Sequence, residues 1–173
     1  AMDGLPVTIR LLDPPLHEFL PSVEELRVKQ AEKGRLTRKD ESMLEAAEAW
    51  AEHNPMIGTR GVRLGVIKPG LYAMQVRALL AAAAKLRDDG KKPIVEIMIP
   101  LTVTREELAL ARSWVQEEID AALAGMKKKP VITIGTMVET PRAAIRADEL
   151  AEGSEFFSFG TNDLTQLTFG FSR

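Results

Sequence analysis

Four charged side chains are spaced so that they could meet at one ligand. Glu139 ends the run Ile132–Glu139, Ile-Thr-Ile-Gly-Thr-Met-Val-Glu, and Asp163 ends Phe156–Asp163, Phe-Phe-Ser-Phe-Gly-Thr-Asn-Asp. Short apolar runs with β character, bounded by turn signals, read as parallel strands buried on both faces. Acids at the carboxyl ends of neighbouring parallel strands point into the crevice where α/β folds bind their ligands. Arg10 ends a further strand, and Arg60 lies beside Gly58 and Gly61, where backbone can approach a ligand closely. Mg²⁺ takes one or two carboxylates and leaves room for substrate oxygens and water. Arginine clamps phosphate or carboxylate with a planar fork. Glu139 and Asp163 are therefore the metal candidates and Arg10 and Arg60 the catalytic candidates, for an anionic phosphorylated substrate. Metal and arginines together can stabilise an enolate and a transferring phosphoryl group.

Each of these residues also has a plainer role open to it. Glu139 could cap a helix beginning at Pro141, and Asp163 could cap the next one. Arg10 could pair with Asp13. Arg63 and Glu96 suit a structural ion pair better than catalysis. His17 and His53 are isolated and suit the surface. Lys127–Lys129 reads as a solvated loop, and Met98 and Met137 as filling.

The elements that must position the candidates follow from local signals. Val7–Leu12 reads as a strand, with a turn at Asp13-Pro14-Pro15. Alternation puts Arg10 on one face with Thr8, Glu139 with Met137 and Gly135, and Asp163 with Thr161 and Phe159. Ser22 and Glu25 form a capping box for a helix to about Glu32, which Gly34 breaks. A second helix runs from Thr37 to about Glu52, with Met43, Leu44, Ala47 and Trp50 on one face. This pair is an insertion, about 22–53, within a single domain 1–173. Met56–Val66 is predicted to contain a strand. A helix follows Gly70, over Leu71–Arg87. Ile94–Pro100 is a strand. Thr104 and Glu107 box a helix to about Ala124. After Ile132–Glu139 a helix starts at Pro141 and runs to about Glu152. Phe156–Thr161 is the last strand. Strands alternating with helices mean a parallel sheet with crossovers. The predicted fold is α/β, a partial (β/α)8 barrel with about five of eight strands, a fold that usually takes about 250 residues.

The totals fit that reading. The chain has 173 residues, 28% charged, with a formal net charge of −2, which argues against a nucleic-acid surface. There is no cysteine, so disulfides and thiol catalysis within the chain are excluded. No apolar run approaches the roughly 18–20 residues of a membrane span, and no signal peptide is evident, so a cytoplasmic location and no membrane partner are expected. The opening Ala-Met reads as an artificial junction, and the chain as a piece of something longer.

Two stretches carry a specific resemblance. Ile134–Arg142, Ile-Gly-Thr-Met-Val-Glu-Thr-Pro-Arg, and Phe156–Gln166, ending Gly-Thr-Asn-Asp-Leu-Thr-Gln, resemble the phosphoenolpyruvate-utilising enzymes. Thr8–Leu20, Asn54–Leu64 and Phe169–Arg173 agree too, so the resemblance covers the chain after its first residues. It implies the carboxyl-terminal barrel that binds pyruvate and phosphoenolpyruvate. It implies Mg²⁺ held by Glu139 and Asp163, phosphate and substrate held by Arg10, Arg60 and Arg173, and a substrate contact from Asn162. The implied reaction moves a phosphoryl group between a phosphohistidine and the enolate of pyruvate, with phosphohistidine and nucleotide-binding domains of the parent chain as partners. Those domains are absent from this sequence, as are the family's Cys-Gly-Glu motif and three barrel strands. The piece alone is expected to be inactive and to self-associate through the open side of its sheet. Two alternatives stay open: a family member with different nucleotide chemistry, or a truncated non-catalytic binding or scaffold homologue.

Overall fold

The β-branched runs Ile94–Ile99 and Val131–Val138 pair side by side. The computed structural model describes residues 2–15, 19–51, 54, 56–126 and 129–171, so His17, His53, Lys127, Lys128 and Arg173 fall outside it. The chain divides into two units, one of Ala1–Asp13 with Gly61–Arg173 and one of Pro14–Arg60.

The first unit holds a parallel sheet of β1 (Pro6–Arg10), β2 (Ile94–Ile99), β3 (Val131–Val138) and β4 (Phe157–Phe159), in the order β1-β2-β3-β4. Sequential order with helical crossovers is that of a barrel, whereas a doubly wound sheet reverses at a switch point. The crossover from β1 to β2 ends in α3 (Gly61–Ile67) and α4 (Leu71–Asp88), and that from β2 to β3 is α5 (Arg105–Leu123). α6 (Pro141–Ile145) and α7 (Ala147–Ala151) lead to β4, and α8 (Thr161–Phe169) follows it.

Register sets the two faces. Ile9, Ile97 and Ile134 form one row, and Arg10, Met98 and Gly135 the next. The isoleucine face buries Val95, Ile97, Ile99, Ile134 and Val138 against Tyr72, Val76 and Leu80 of α4 and Leu108, Ala111 and Val115 of α5. Each fully buried aliphatic side chain there contributes about 1.5–3 kcal/mol. α5 is opened by the predicted capping box: the Thr104 hydroxyl accepts from the Glu107 N–H, and the Glu107 carboxylate accepts from the Thr104 N–H.

Several expectations need correction. The described residues form four strands, not five, because the segment expected as a strand within Met56–Val66 holds α3 instead. Gly61, Val62, Leu64 and Gly65 are buried in it while Val66 is 46% exposed, a helical rather than an alternating pattern. The Tyr72 ring, at the start of α4, lies 3.1 Å from where a Gly65 Cβ would be, so a larger residue there would strike it. The helix from Pro141 is split at Arg146, whose ψ of 27° interrupts it. β4 stops at Phe159, and Phe157 and Phe159 pair with Thr136 and Val138, on the face opposite Met137. Phe157 packs into the isoleucine-side core, Phe159 is exposed, and Phe156 is the aromatic that lies over Gly135.

The second unit is a helical pair, α1 (Val23–Lys33) and α2 (Arg38–Ala49). Leu26, Leu36 and Leu44 form its core, with Val23 and Met43 packed against them. Ser22 caps α1 by accepting the Glu24 N–H, rather than the Glu25 N–H that a box requires. Thr37 caps α2. The Lys29 ammonium, bonded to Asp40 at 2.7 Å, and then the Thr37 hydroxyl hold that carboxyl below its usual range.

Candidate functional site

Glu139 follows β3 directly and is 1% exposed. It does not cap α6, because the Thr140 hydroxyl accepts the Ala143 N–H and does so instead. Glu139 Oε1 accepts the Leu101 N–H at 2.7 Å. A buried bond to an ionised acceptor of this kind is worth about 1.5–3 kcal/mol. Leu101 has φ of 54° and is the one non-glycine residue at positive φ among the described residues. A left-handed leucine costs about 1–3 kcal/mol and persists only where its surroundings enforce it.

Those surroundings are specific. Thr136 Oγ1 donates to the Ile99 carbonyl at 2.8 Å. Its one proton is then spent, so Thr102 Oγ1, 2.6 Å away, is the donor in the hydroxyl pair. Both threonines are 0% exposed. The Pro100 carbonyl accepts the Val62 N–H at 3.3 Å. On its other side Leu101 packs against Gly61, where a Cβ would lie 2.9 Å from Leu101 Cβ and 3.1 Å from Asp13 Oδ1.

Asp13 leads to Arg10. Its carboxylate, with no exposed side-chain surface, pairs with Arg10 Nη1 at 2.9 Å, so the plainer reading of Arg10 is realised. The Arg10 side chain keeps 42% of its surface and can take a second anionic partner. α4 pins the backbone beneath it. Gln75 accepts the Leu12 N–H at 2.8 Å and donates to the Arg10 carbonyl at 3.3 Å, and the Tyr72 hydroxyl donates to the Leu12 carbonyl at 3.2 Å. Burial, then the charges of Asp13 and Glu139 working against that of Arg10, push the Tyr72 phenol far above its ordinary pKa. Tyr72 therefore stays a donor at any physiological pH.

Asp163 is not at a strand end. α8 begins at Thr161 after Gly160, so Asp163 is the third residue of the helix and is 7% exposed. A carboxylate in a first turn gains about 0.3–1 kcal/mol from the helix dipole. Asn162, beside it, is exposed. The turn meets Glu139 at Gly160, where a Cβ would lie 2.4 Å from Glu139 Cβ, 2.5 Å from Oε2 and 3.1 Å from Met137 Sδ. Contacts thus run from Arg10 through Asp13, Gly61 and Leu101 to Glu139, and from Glu139 to the turn carrying Asn162 and Asp163.

Arg60 belongs to the other unit, where it is 4% exposed and donates to the Met56 carbonyl at 3.1 Å. Arg173 lies outside the described residues. Glu96 accepts the Thr8 hydroxyl at 2.5 Å. No group of three or more His, Cys, Asp or Glu side chains is gathered among the described residues, so a cation here would draw on two carboxylates. That number and type suit Mg²⁺, which completes its shell with water and substrate oxygens.

A known family, PEP-utilising enzyme, PEP-binding domain, matches residues 1–173. The chain belongs to that family. It is similar to pyruvate, phosphate dikinase 2 of Oryza sativa subsp. japonica, 51% identical over 175 residues, with 100% of this chain and 20% of the relative covered. It is similar to pyruvate, phosphate dikinase 1, chloroplastic, of Arabidopsis thaliana, 49% identical over 173 residues, covering 100% and 18%. The chain spans about a fifth of the length of these relatives. Some relatives carry a chloroplast location in their names, and no helix among the described residues is long and apolar enough to cross a membrane.

In this PEP-binding domain the sequence marked the acids and Arg10 but not what holds them. Leu101, Thr102 and Thr136 carry no signal of their own, because a backbone N–H and two hydroxyls acquire their roles only when β2 and β3 are side by side. Gly160 stood within a quoted motif, and its crowding against Glu139 is visible only in the fold.

Proposed function

We propose that this chain is the pyruvate- and phosphoenolpyruvate-binding part of a pyruvate, phosphate dikinase. In that reaction ATP, phosphate and pyruvate give AMP, pyrophosphate and phosphoenolpyruvate. The step assigned to this domain transfers a phosphoryl group from a phosphohistidine, carried elsewhere in the parent protein, to the enolate oxygen of pyruvate. The P–N bond breaks as the O–P bond forms, its electron pair stays on the histidine ring, and a base carried elsewhere in the parent protein takes the proton that the pyruvate methyl group gives up. Glu139 and Asp163 are assigned as the ligands of a Mg²⁺ ion, which would supply positive charge where the enolate and the phosphoryl oxygens concentrate negative charge. Arg10 and Arg60 are assigned to the phosphate and carboxylate of the substrate, and Asn162 and Arg173 as further substrate contacts. Arg10 is suited to this because Asp13 pairs with its guanidinium while much of the side chain stays accessible.

The observation that carries the reading is a buried carboxylate, Glu139, seated against the Gly160 turn from which Asn162 and Asp163 project. A buried acid with so little solvent needs a compensating charge or donors. The relatives' names support the substrate class, and the family match covers the whole chain.

The test is substitution in the parent-length protein. Glu139→Gln and Asp163→Asn should each lower Mg²⁺-dependent phosphoenolpyruvate formation by about a hundredfold or more, since each removes a charged oxygen. Near-normal turnover of either variant at low Mg²⁺ would sink the assignment.

A further inference from the structure

Glu139 is held by a device that spans three elements, and nothing in the motifs announces it. Its Oε1 takes the N–H of a left-handed Leu101, at 2.7 Å. Leu101 is fixed from behind, because Thr102 bonds Thr136 and Thr136 bonds the Ile99 carbonyl. Its Oε2 lies against the backbone of Gly160, with no room for a Cβ. The carboxylate is thus gripped on one edge by a donor and walled on the other by a glycine.

We propose that Thr102, Thr136 and Gly160 are positioning residues for Glu139. The two hydroxyls hold the Leu101 turn so that its N–H fixes the plane of the carboxylate. The bare Cα of Gly160 lets that carboxylate lie beside the turn that carries Asp163. The inference rests on the reading of Glu139 as a metal ligand and adds which residues set its orientation. Outer residues that orient a ligand are worth about 10–100-fold in metal affinity. The hydroxyl pair has no exposed surface and touches no substrate in this account, so its effect must pass through Glu139.

The probe is Mn²⁺ alone, titrated into the full chain and followed by the electron paramagnetic resonance signal of the free ion. Far-UV circular dichroism is recorded on each variant. Thr136→Val keeps the shape and removes both hydroxyl bonds, and should weaken Mn²⁺ binding about tenfold or more. Thr136→Ser restores the hydroxyl and should bind within about twofold of the unmodified chain. Gly160→Ala should also lose about tenfold or more, because its new Cβ meets Glu139 Cβ and Oε2. The φ of −86° at that position suits alanine, so any loss comes from the side chain it strikes. If Thr136→Val does not fold, Gly160→Ala decides alone. Glu139→Gln separates the two ideas. If it binds Mn²⁺ as the unmodified chain does, the metal reading fails. If it abolishes binding while Thr136→Val and Gly160→Ala bind normally, the metal reading stands and the positioning proposal is overturned.

Discussion

Asp13 shows how a residue can be read correctly as structural and still matter to the site. Its carboxylate is enclosed, yet it meets Arg10 at 2.9 Å and stands 3.1 Å from the position of a Gly61 Cβ. A buried charge keeps its place only when paired. Asp13→Asn keeps the shape and removes the charge, and should destabilise the fold by about 1–3 kcal/mol. The figure sits below that for a fully buried pair because the arginine is partly solvated. Urea unfolding measures it, and a change under about 0.5 kcal/mol would show that the pair contributes little beyond a surface bridge. At this scale the sequence was a good guide to side chains with charge. Glu139 was legible as an acid ending an apolar run, and Arg10 with Asp13 as neighbours in sequence. Leu101 was not legible, since its contribution is a backbone N–H in a left-handed conformation that only the packed fold imposes.

Elements were legible where local chemistry and burial agree. α5 carries both halves of its capping box and an apolar stripe of Leu108, Ala111, Val115 and Ile119 facing the sheet. Thr104→Ala should cost about 1 kcal/mol, since it leaves the Glu107 N–H without its cap. A thermal midpoint within a degree of the unmodified chain would contradict that. α3 was misread because seven residues, Gly-Val-Arg-Leu-Gly-Val-Ile, suit both an alternating and a helical pattern. What decides is the fit of Gly65 beneath the Tyr72 ring, one helix further on, and of Gly61 beneath Leu101, which comes from distant sequence. The grouping of Asp163 with Phe159 on one face fails for a different reason. Alternation was counted through Asp163, but the chain turns helical at Thr161, and the period changes from 2 to 3.6 there. The short β4 gave too few residues to reveal the slip.

At the scale of the sheet the order β1-β2-β3-β4 leaves β1 and β4 each with a single strand partner among the described residues. Unpaired edges present rows of backbone donors and acceptors and invite pairing with another chain. Beside β1 lies a groove of about 320 Å³ lined by Leu5, Val7, Ile9, Leu79, Leu86 and Pro93, among others. Leu5 and Leu86 are 52% and 48% exposed. Beyond β4, Phe159 is 64% exposed, and Phe169 and Phe171 stack on one another in the open. Apolar surface at an open edge favours association. The 173-residue chain should therefore sediment as a dimer or larger species at micromolar concentration. Leu86→Lys should shift it toward monomer, because a charge in the groove would be desolvated on pairing. The substitution touches neither Glu139 nor Arg10, so it separates association from the site. A chain that sediments as a monomer at those concentrations would overturn the idea and would mean that β1 and its groove tolerate water. If the chain associates and Leu86→Lys leaves it unchanged, the contact runs instead through β4 and its exposed phenylalanines.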